Sequence, residues 1–307
     1  MTARQELPAM PAPPAGPAAA PADAARPARR ALLSAFAENR VAVAGLVLLV
    51  ALVLFCFVGP HLYHSDQVHA NLAAARLAPG SPGHPLGTDD LGFDELGRLM
   101  AGGQASLEVG IAAALFATIF GALWGAVAAV AGGLVDALMM RIVDALSSIP
   151  SLFFLIFLAH VLNFSVPMLI VVIGYVAWLG PARLVRGEAL TTISRDFVQA
   201  VRMMGGRTPR MVLRHVLPNA VGTMAVNATF QVADAILVVA ALGYLGIGVP
   251  PPAADWGTML SSGISFAAAG YWWMIFCPGL AIVLTVVAFN FIGDGLRDAF
   301  NVRARAR

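Results

Sequence analysis

Residues 186–219 read RGEALTTISRDFVQAVRMMGGRTPRMVLRHVLPN and lie between two long apolar runs. Leu190, Ile193, Phe197, Ala200, Val201 and Met204 fall at helical spacing on one face, while Glu188, Arg195, Asp196 and Arg202 occupy others. That periodicity predicts an amphipathic helix. Gly205 and Gly206 break it, because glycine leaves helical geometry at no steric cost. A second short helix then runs to Pro218, where a missing N–H interrupts the helical ladder. Most connections between helices are far shorter. A hairpin that concentrates Arg beside a double glycine reads as a surface for a docking partner rather than as a passive loop.

The flanking sequence places this hairpin at a membrane. The 307-residue chain is 59% hydrophobic and only 12% charged, more apolar surface than one soluble core can bury. A spanning helix needs about 20 consecutive apolar residues, and several such runs are present. Val41 to Val58 is uncharged, bounded by Arg40 and by Gly59 and Pro60, and lies too far along the chain for a secretory signal peptide. Val109 to Val135 predicts a second span. Ala145 to Ala182 is uncharged for longer than one span requires, and Asn163, Ser165 and Pro167 divide it into a third and a fourth. Thr223 to Gly248 predicts a fifth and Trp272 to Ile292 a sixth, with Trp272 and Trp273 as interfacial anchors. The expected fold class is an all-α membrane protein with six transmembrane helices.

Charge sets the orientation. All nineteen basic residues are Arg. With six spans and a cytoplasmic start, all except Arg76 and Arg98 fall on the inner side, so the positive-inside rule puts both termini in the cytoplasm. The net charge of +2 is then a topology signal. Nucleic-acid binding would need a basic patch joined to a groove-reading element, and none is expected. Met1 to about Ala28 is Pro/Ala-rich and expected to be disordered, since it offers little to bury against its backbone entropy. Cys56 and Cys277 sit in separate spans without a His or carboxylate at ligand spacing, and read as small apolar residues.

The chain contains no Lys, so a glycine-rich P-loop ending in Gly-Lys-Ser/Thr is impossible and ATP must be hydrolysed elsewhere. No Ser/His/Asp arrangement, paired catalytic carboxylates or metal-ligand cluster stands out, and no metal or cofactor is expected. Asp89, Asp90, Asp94 and Glu95 read as a solvated outer loop. Arg141 and Asp144, three apart at the start of the third span, are expected to pair, and His160 to sit at the outer interface. Asn227, Gln231 and Asp234 are spaced four and then three residues apart, on one face of the fifth span. They form the candidate translocation path. A carboxylate at membrane depth marks a water-filled path or a helix contact, and both readings stay open for Asp234.

The hairpin also carries a resemblance. Gln199, Ala200, Val201, three residues, Gly205, nine residues, His215, one residue, Leu217 and Pro218 are similar to the coupling motif of ABC import permeases, written Glu-Ala-Ala, Gly, Ile-x-Leu-Pro. Gln199 replaces Glu, Val201 the second Ala and His215 the Ile. Arg214 to Asn219, RHVLPN, resembles the form usual in the dipeptide, oligopeptide and nickel branch. HPLGTDDLGFDELGRL (84–99), YLGIGVPPPAADWGTML (244–260) and FNFIGDGLRDAF (289–300) resemble other segments of that branch. Phe93 stands there for Arg, Gly97 for Ser, and Asn301 and Val302 for Asp-Pro.

The resemblance implies a type I ABC importer permease fold and a second, C-type permease subunit. In that family the hairpin inserts a short helix into a groove on a separate ATPase. Gln199, Ala200, Arg202, Gly205, Arg207, His215, Leu217 and Pro218 are the residues it assigns to coupling. The implied partners are a second permease subunit, two ATP-binding subunits, an extracytoplasmic substrate-binding protein and the lipid bilayer of a bacterial inner membrane. The implied division is a cytoplasmic tail (1–30), a first span with an outer segment (31–106), a permease core with five spans and hairpin 186–219 (107–296), and a cytoplasmic tail (297–307). Short peptides, nickel chelates or related solutes are the implied cargo. The competing class is a self-contained secondary transporter in which Asp234 carries a coupling proton. A channel or membrane scaffold would need a filter-like ring or a pure interaction surface.

Overall fold

The structure is a computed structural model that describes residues 28–162, 165–205 and 207–305; the Pro/Ala-rich tail falls almost wholly outside them. Its helices, in chain order, are α1 (Ala28–Glu38), α2 (Arg40–Phe57), α3 (Gly59–Leu62), α4 (Glu95–Ala131), α5 (Gly133–Ser147), α6 (Ser151–Val161), α7 (Val166–Ala177), α8 (Leu179–Ile193), α9 (Asp196–Met203), α10 (Thr208–Met211), α11 (Leu217–Tyr244), α12 (Trp256–Ile264) and α13 (Trp273–Arg305). Among the described residues the only β pairing is two isolated bridges, Ser81 with His84 and Thr88 with Asp94.

Four unbroken helical stretches are long and apolar enough to cross a membrane: Arg40–Phe57, Glu95–Ala131, Thr208–Tyr244 and Trp273–Phe300. Two bent pairs, α5 with α6 and α7 with α8, bring the number to six when each pair is counted as one span. Several helices overrun the apolar runs that announce them. α4 starts at Glu95 rather than Val109, and α13 continues past Ile292 to Arg305. Hydropathy marks the part of a helix that meets lipid, whereas helix ends are set by caps. Asp94 caps α4 by accepting from Gly97 N at 2.8 Å. Asn39 caps α2 by accepting from Val41 N and Ala42 N, both at 3.1 Å, and its Nδ2 donates to Asp298 on α13.

α4 is the central helix, packed against α8 and α11. Small residues make this possible, because without a side chain two helix backbones can approach closely in lipid. A Cβ at Gly121 would lie 2.5 Å from Trp178 O, one at Gly125 would collide with Ala182 O, and one at Gly110 would meet Ile236 Cγ1 at 2.5 Å. Trp178 is buried at the joint of α7 and α8, edge-on to Phe120 and Trp124 with ring centroids 5.0 Å away in each case.

The break between the third and fourth spans falls as expected, with α7 starting at Val166 behind Ser165 and carrying Pro167 in its first turn. Each of those spans is also bent internally, by 76° at residues 148–150 and by 46° at Trp178. Proline explains the positions. Pro150 disfavours helical geometry in Ile149. Pro181 has no N–H for the carbonyl four residues earlier, at Ala177.

Three expectations are corrected. Trp273 is buried and its indole donates to Thr88 O at 3.1 Å, so only Trp272 stands exposed as an anchor. Asp144 pairs with Arg183 at 3.0 Å rather than with Arg141. Asp89, Asp94 and Glu95 are buried, not solvated, because residues 59–94 fold back as a cap over the end of the bundle. Thr88 pins that cap, its hydroxyl donating to Ala74 O and accepting from Leu77 N.

Candidate functional site

The hairpin is continuous with two spans. α8 carries the fourth span to Ile193, Arg195 is extended (φ −74°, ψ 142°), and α9 follows, so the single first helix expected from periodicity is broken in two. Gly205 then adopts φ +78°, a left-handed conformation that glycine enters readily. No atom lies within 4 Å of where its Cβ would stand; the turn needs glycine for its backbone and not for space. α10 follows an extended Arg207, and a π turn at Val212–Val216 leads directly into α11. The second helix therefore does not stop at Pro218. Leu217 N bonds Val212 O five residues back, and Pro218 stands in the first turn of α11, where its missing N–H is tolerated.

The residues expected to couple divide by environment. Gln199 turns inward and its Nε2 closes the end of α8 at Ile193 O, 3.1 Å. Ala200, Arg202, Gly205 and Arg207 are exposed. His215 sits beside Phe197, ring centroids 6.1 Å apart. Gly205 and His215 share a cavity of about 420 Å³ with Val201, Met204, Arg210 and Arg214. Leu217 and Pro218 open α11. On α9 only Val198 is buried, while Phe197, Met203 and Met204 are 46%, 85% and 79% exposed. The apolar stripe read from the sequence thus divides: Ile193 and Val201 pack against the core, whereas Leu190, Phe197, Ala200 and Met204 stay exposed, which is unfavourable unless something covers them.

Two ion pairs hold α8, which leads into this hairpin, to the third span. Arg186 Nε and Nη2 donate to Asp136 Oδ1 and Oδ2, both at 2.6 Å, and Arg183 Nη2 donates to Asp144 Oδ1 at 3.0 Å and Ser147 Oγ at 2.9 Å. Sequence reasoning used both arginines only as topology signals. The available signal was the spacing of Asp136 and Asp144, two helical turns apart on α5, opposite two arginines three apart on α8.

At the other end of the bundle lies a cavity of about 820 Å³ between α6, residues 246–253, α12 and the start of α4. Asp255 pins its rim: Oδ1 accepts from Gly257 N and Thr258 N, and Oδ2 from Val249 N. Burial pushes the Asp255 carboxyl up, opposed by those N–H donors. Burial likewise raises Asp89, opposed by Phe93 N–H and by the Arg98 guanidinium. Asp94 accepts from Tyr63 OH at 3.0 Å and meets His84 Nδ1 at 2.9 Å; burial, then that hydrogen bond and charge, push Tyr63 up to about 12.

Residues 117–306, with the hairpin and the contact of Gly121 and Gly125 with α8 inside them, match the family described as binding-protein-dependent transport system inner membrane component. The chain belongs to that family. Residues 27–79 match the N-terminal TM domain of oligopeptide transport permease C. The chain is 42% identical over 271 residues to the oligopeptide transport system permease protein OppC of Escherichia coli K12, covering 88% of this chain and 89% of that one. It is 41% identical over 270 residues to a putative peptide permease protein of Brucella suis, and 38% identical over 270 to OppC of Bacillus subtilis, each covering 88% of this chain. The protein is a membrane-embedded permease subunit of an ATP-driven importer, not an enzyme; ATP hydrolysis lies on separate subunits. The secondary-transporter reading is not favoured.

The three polar residues of the fifth span meet different surroundings within this permease subunit. Gln231 Nε2 donates to Ala177 O at 2.8 Å. Asn227 lines a cavity of about 280 Å³ near Thr223, Arg297 and Phe300, and its Oδ1 is buried without a partner. Asp234 is exposed on the flank of α11.

Proposed function

We propose that this permease forms half of the translocation path for short peptides, paired with a second permease subunit, driven by two ATP-binding subunits and supplied by an extracytoplasmic binding protein. The curated relatives named as oligopeptide or peptide permeases support the cargo. The distribution of Arg supports a bacterial inner membrane with both termini in the cytoplasm. Residues 107–296 are then the transporting core.

One observation carries the coupling role: the large apolar side chains left uncovered along and just after α9, Phe197, Met203 and Met204, beside the Gly205 bend. It is joined to the fourth span through α8 and to the fifth through the π turn. A rigid lever of that kind moves two spans when a partner grips it. Gln199 stiffens the lever from inside, whereas Ala200, Arg202, Gly205, Arg207 and His215 lie where an ATPase would contact it.

The experiment is reconstitution into proteoliposomes with labelled tri-alanine as cargo. Uptake should require ATP, both ATP-binding subunits and the binding protein together. Uptake by permease subunits alone, driven by an ion gradient, would overturn the reading.

A further inference from the structure

The cavity of about 820 Å³ at the end opposite the hairpin has the size of a small-molecule site. Its walls are mostly apolar, with Ile156, Phe157, Met259 and Met274 among them, and carry three ionisable side chains, Asp89, Glu95 and Arg98. Arg98 is already engaged: its Nε is 3.4 Å from Asp89 Oδ2 and its guanidinium lies over the Phe93 ring, 4.2 Å from the centroid. Asp89 also accepts from Leu91 N and Phe93 N. Glu95 is different. It is 1% exposed, and its Oε1 is buried with no hydrogen-bond partner. Buried carboxyl groups are ordinarily paired or hydrogen-bonded, because desolvation without a partner is costly.

We infer that this cavity is a subsite for a primary ammonium group, with Glu95 as its main acceptor and Asp89 as the second carboxylate of the wall. Arg98 already answers Asp89, which leaves Glu95 Oε1 as an acceptor of the wall still without a donor. An ammonium is compact and brings three donors, so it can serve Glu95 Oε1 without displacing Arg98 from Asp89. A metal ion fits less well, since the described residues hold no group of three His, Cys, Asp or Glu able to ligate one. The apolar remainder of the wall suits the side chains of a short peptide. The inference rests on the peptide reading above, and names the α-ammonium as the part of the cargo recognised at this end of the path.

The test uses the assembled importer in nanodiscs without its binding protein, and reads the melting temperature. A ligand that binds only the folded state raises it by mass action. Tri-alanine and n-butylammonium should raise the melting temperature, and N-acetyl-tri-alanine and n-butanol at equal ionic strength should not. Glu95→Gln should abolish the shift and, in proteoliposomes supplied with the binding protein, weaken half-saturation of tri-alanine uptake by about tenfold, the loss expected for one hydrogen-bonded partner. Should Glu95→Gln fail to assemble, Glu95→Asp takes its place; it should weaken the shift while keeping the preference of amine over alcohol. Equal shifts from amine and alcohol overturn the subsite, as does an unchanged shift in the variant. No shift from any amine means that a water molecule alone serves Glu95, and overturns it too. A shift from n-butylammonium in an importer that carries no tri-alanine keeps the ammonium subsite and overturns the peptide reading.

Discussion

Gln231 Nε2 donates to Ala177 O across 2.8 Å, joining α11 to the joint between α7 and α8. Ala177 is the residue whose carbonyl loses its helical N–H partner, because Pro181 stands four positions later. The side chain of one span thus completes the broken backbone of another. Gln231→Leu should strand that carbonyl and cost about 1–3 kcal/mol. Pro181→Ala should restore the N–H and make Gln231→Leu nearly neutral. A double-mutant cycle on thermal unfolding in detergent measures the coupling, and additive effects would count against the relationship.

Arg186 and Asp136 hold α8 to α5 through two parallel hydrogen bonds of 2.6 Å. The geometry is bidentate, which only Arg provides. Arg186 is 33% exposed and Asp136 14%, so solvent screening limits the pair to about 1 kcal/mol of stability. Its larger effect is on transmission. Arg186→Lys should leave assembly and ATP hydrolysis near normal while lowering the number of solutes moved per ATP, because the lever then slides on the third span. A transport ratio equal to that of the unaltered protein would show that the pair is not part of the lever.

Gly205 occupies φ +78° with open space around it. A non-glycine residue there costs about 1–2 kcal/mol, more for a β-branched one and less for Asn. ATP-driven uptake should therefore fall in the order Gly, Asn, Ala, Val, while membrane insertion stays constant. Normal uptake by Gly205→Val would show that the bend is dispensable.

Gly125 and Gly180 make a matched pair on the two helices that pack most closely. A Cβ at Gly125 collides with the backbone at Ala182, whereas one at Gly180 meets nothing within 4 Å. Gly125→Ala should force α4 from α8, with a cost of about 1–3 kcal/mol from overpacking. Gly180→Ala should be neutral or slightly stabilising, since it restricts the unfolded chain. Thermal unfolding of the two variants side by side checks the difference.

Much of this protein is legible from one dimension. The apolar runs and the Gln199-to-Pro218 spacing are local patterns, so they identify spans and hairpin without any knowledge of packing. Asn227, Gln231 and Asp234 share a helix face in the sequence, yet meet three different environments, because what a face touches depends on which neighbours reach it. The bends at residues 148–150 and Trp178 lie inside runs of uniform hydropathy, where only the prolines signalled them.

The amino-acid sequence by itself determined that the chain crosses a bilayer with helices, carries a long polar hairpin between two of them and leaves ATP hydrolysis to other subunits, since lipid demands internally bonded apolar segments and the absence of Lys rules out a P-loop. Tertiary structure alone decided that Asp89, Asp94 and Glu95 are buried, that Trp273 is locked to Thr88, and that Arg183 and Arg186 clamp α8 to α5. A charged stretch reads the same whether it is solvated or covered. Whether water reaches it depends on residues far along the chain folding back over it.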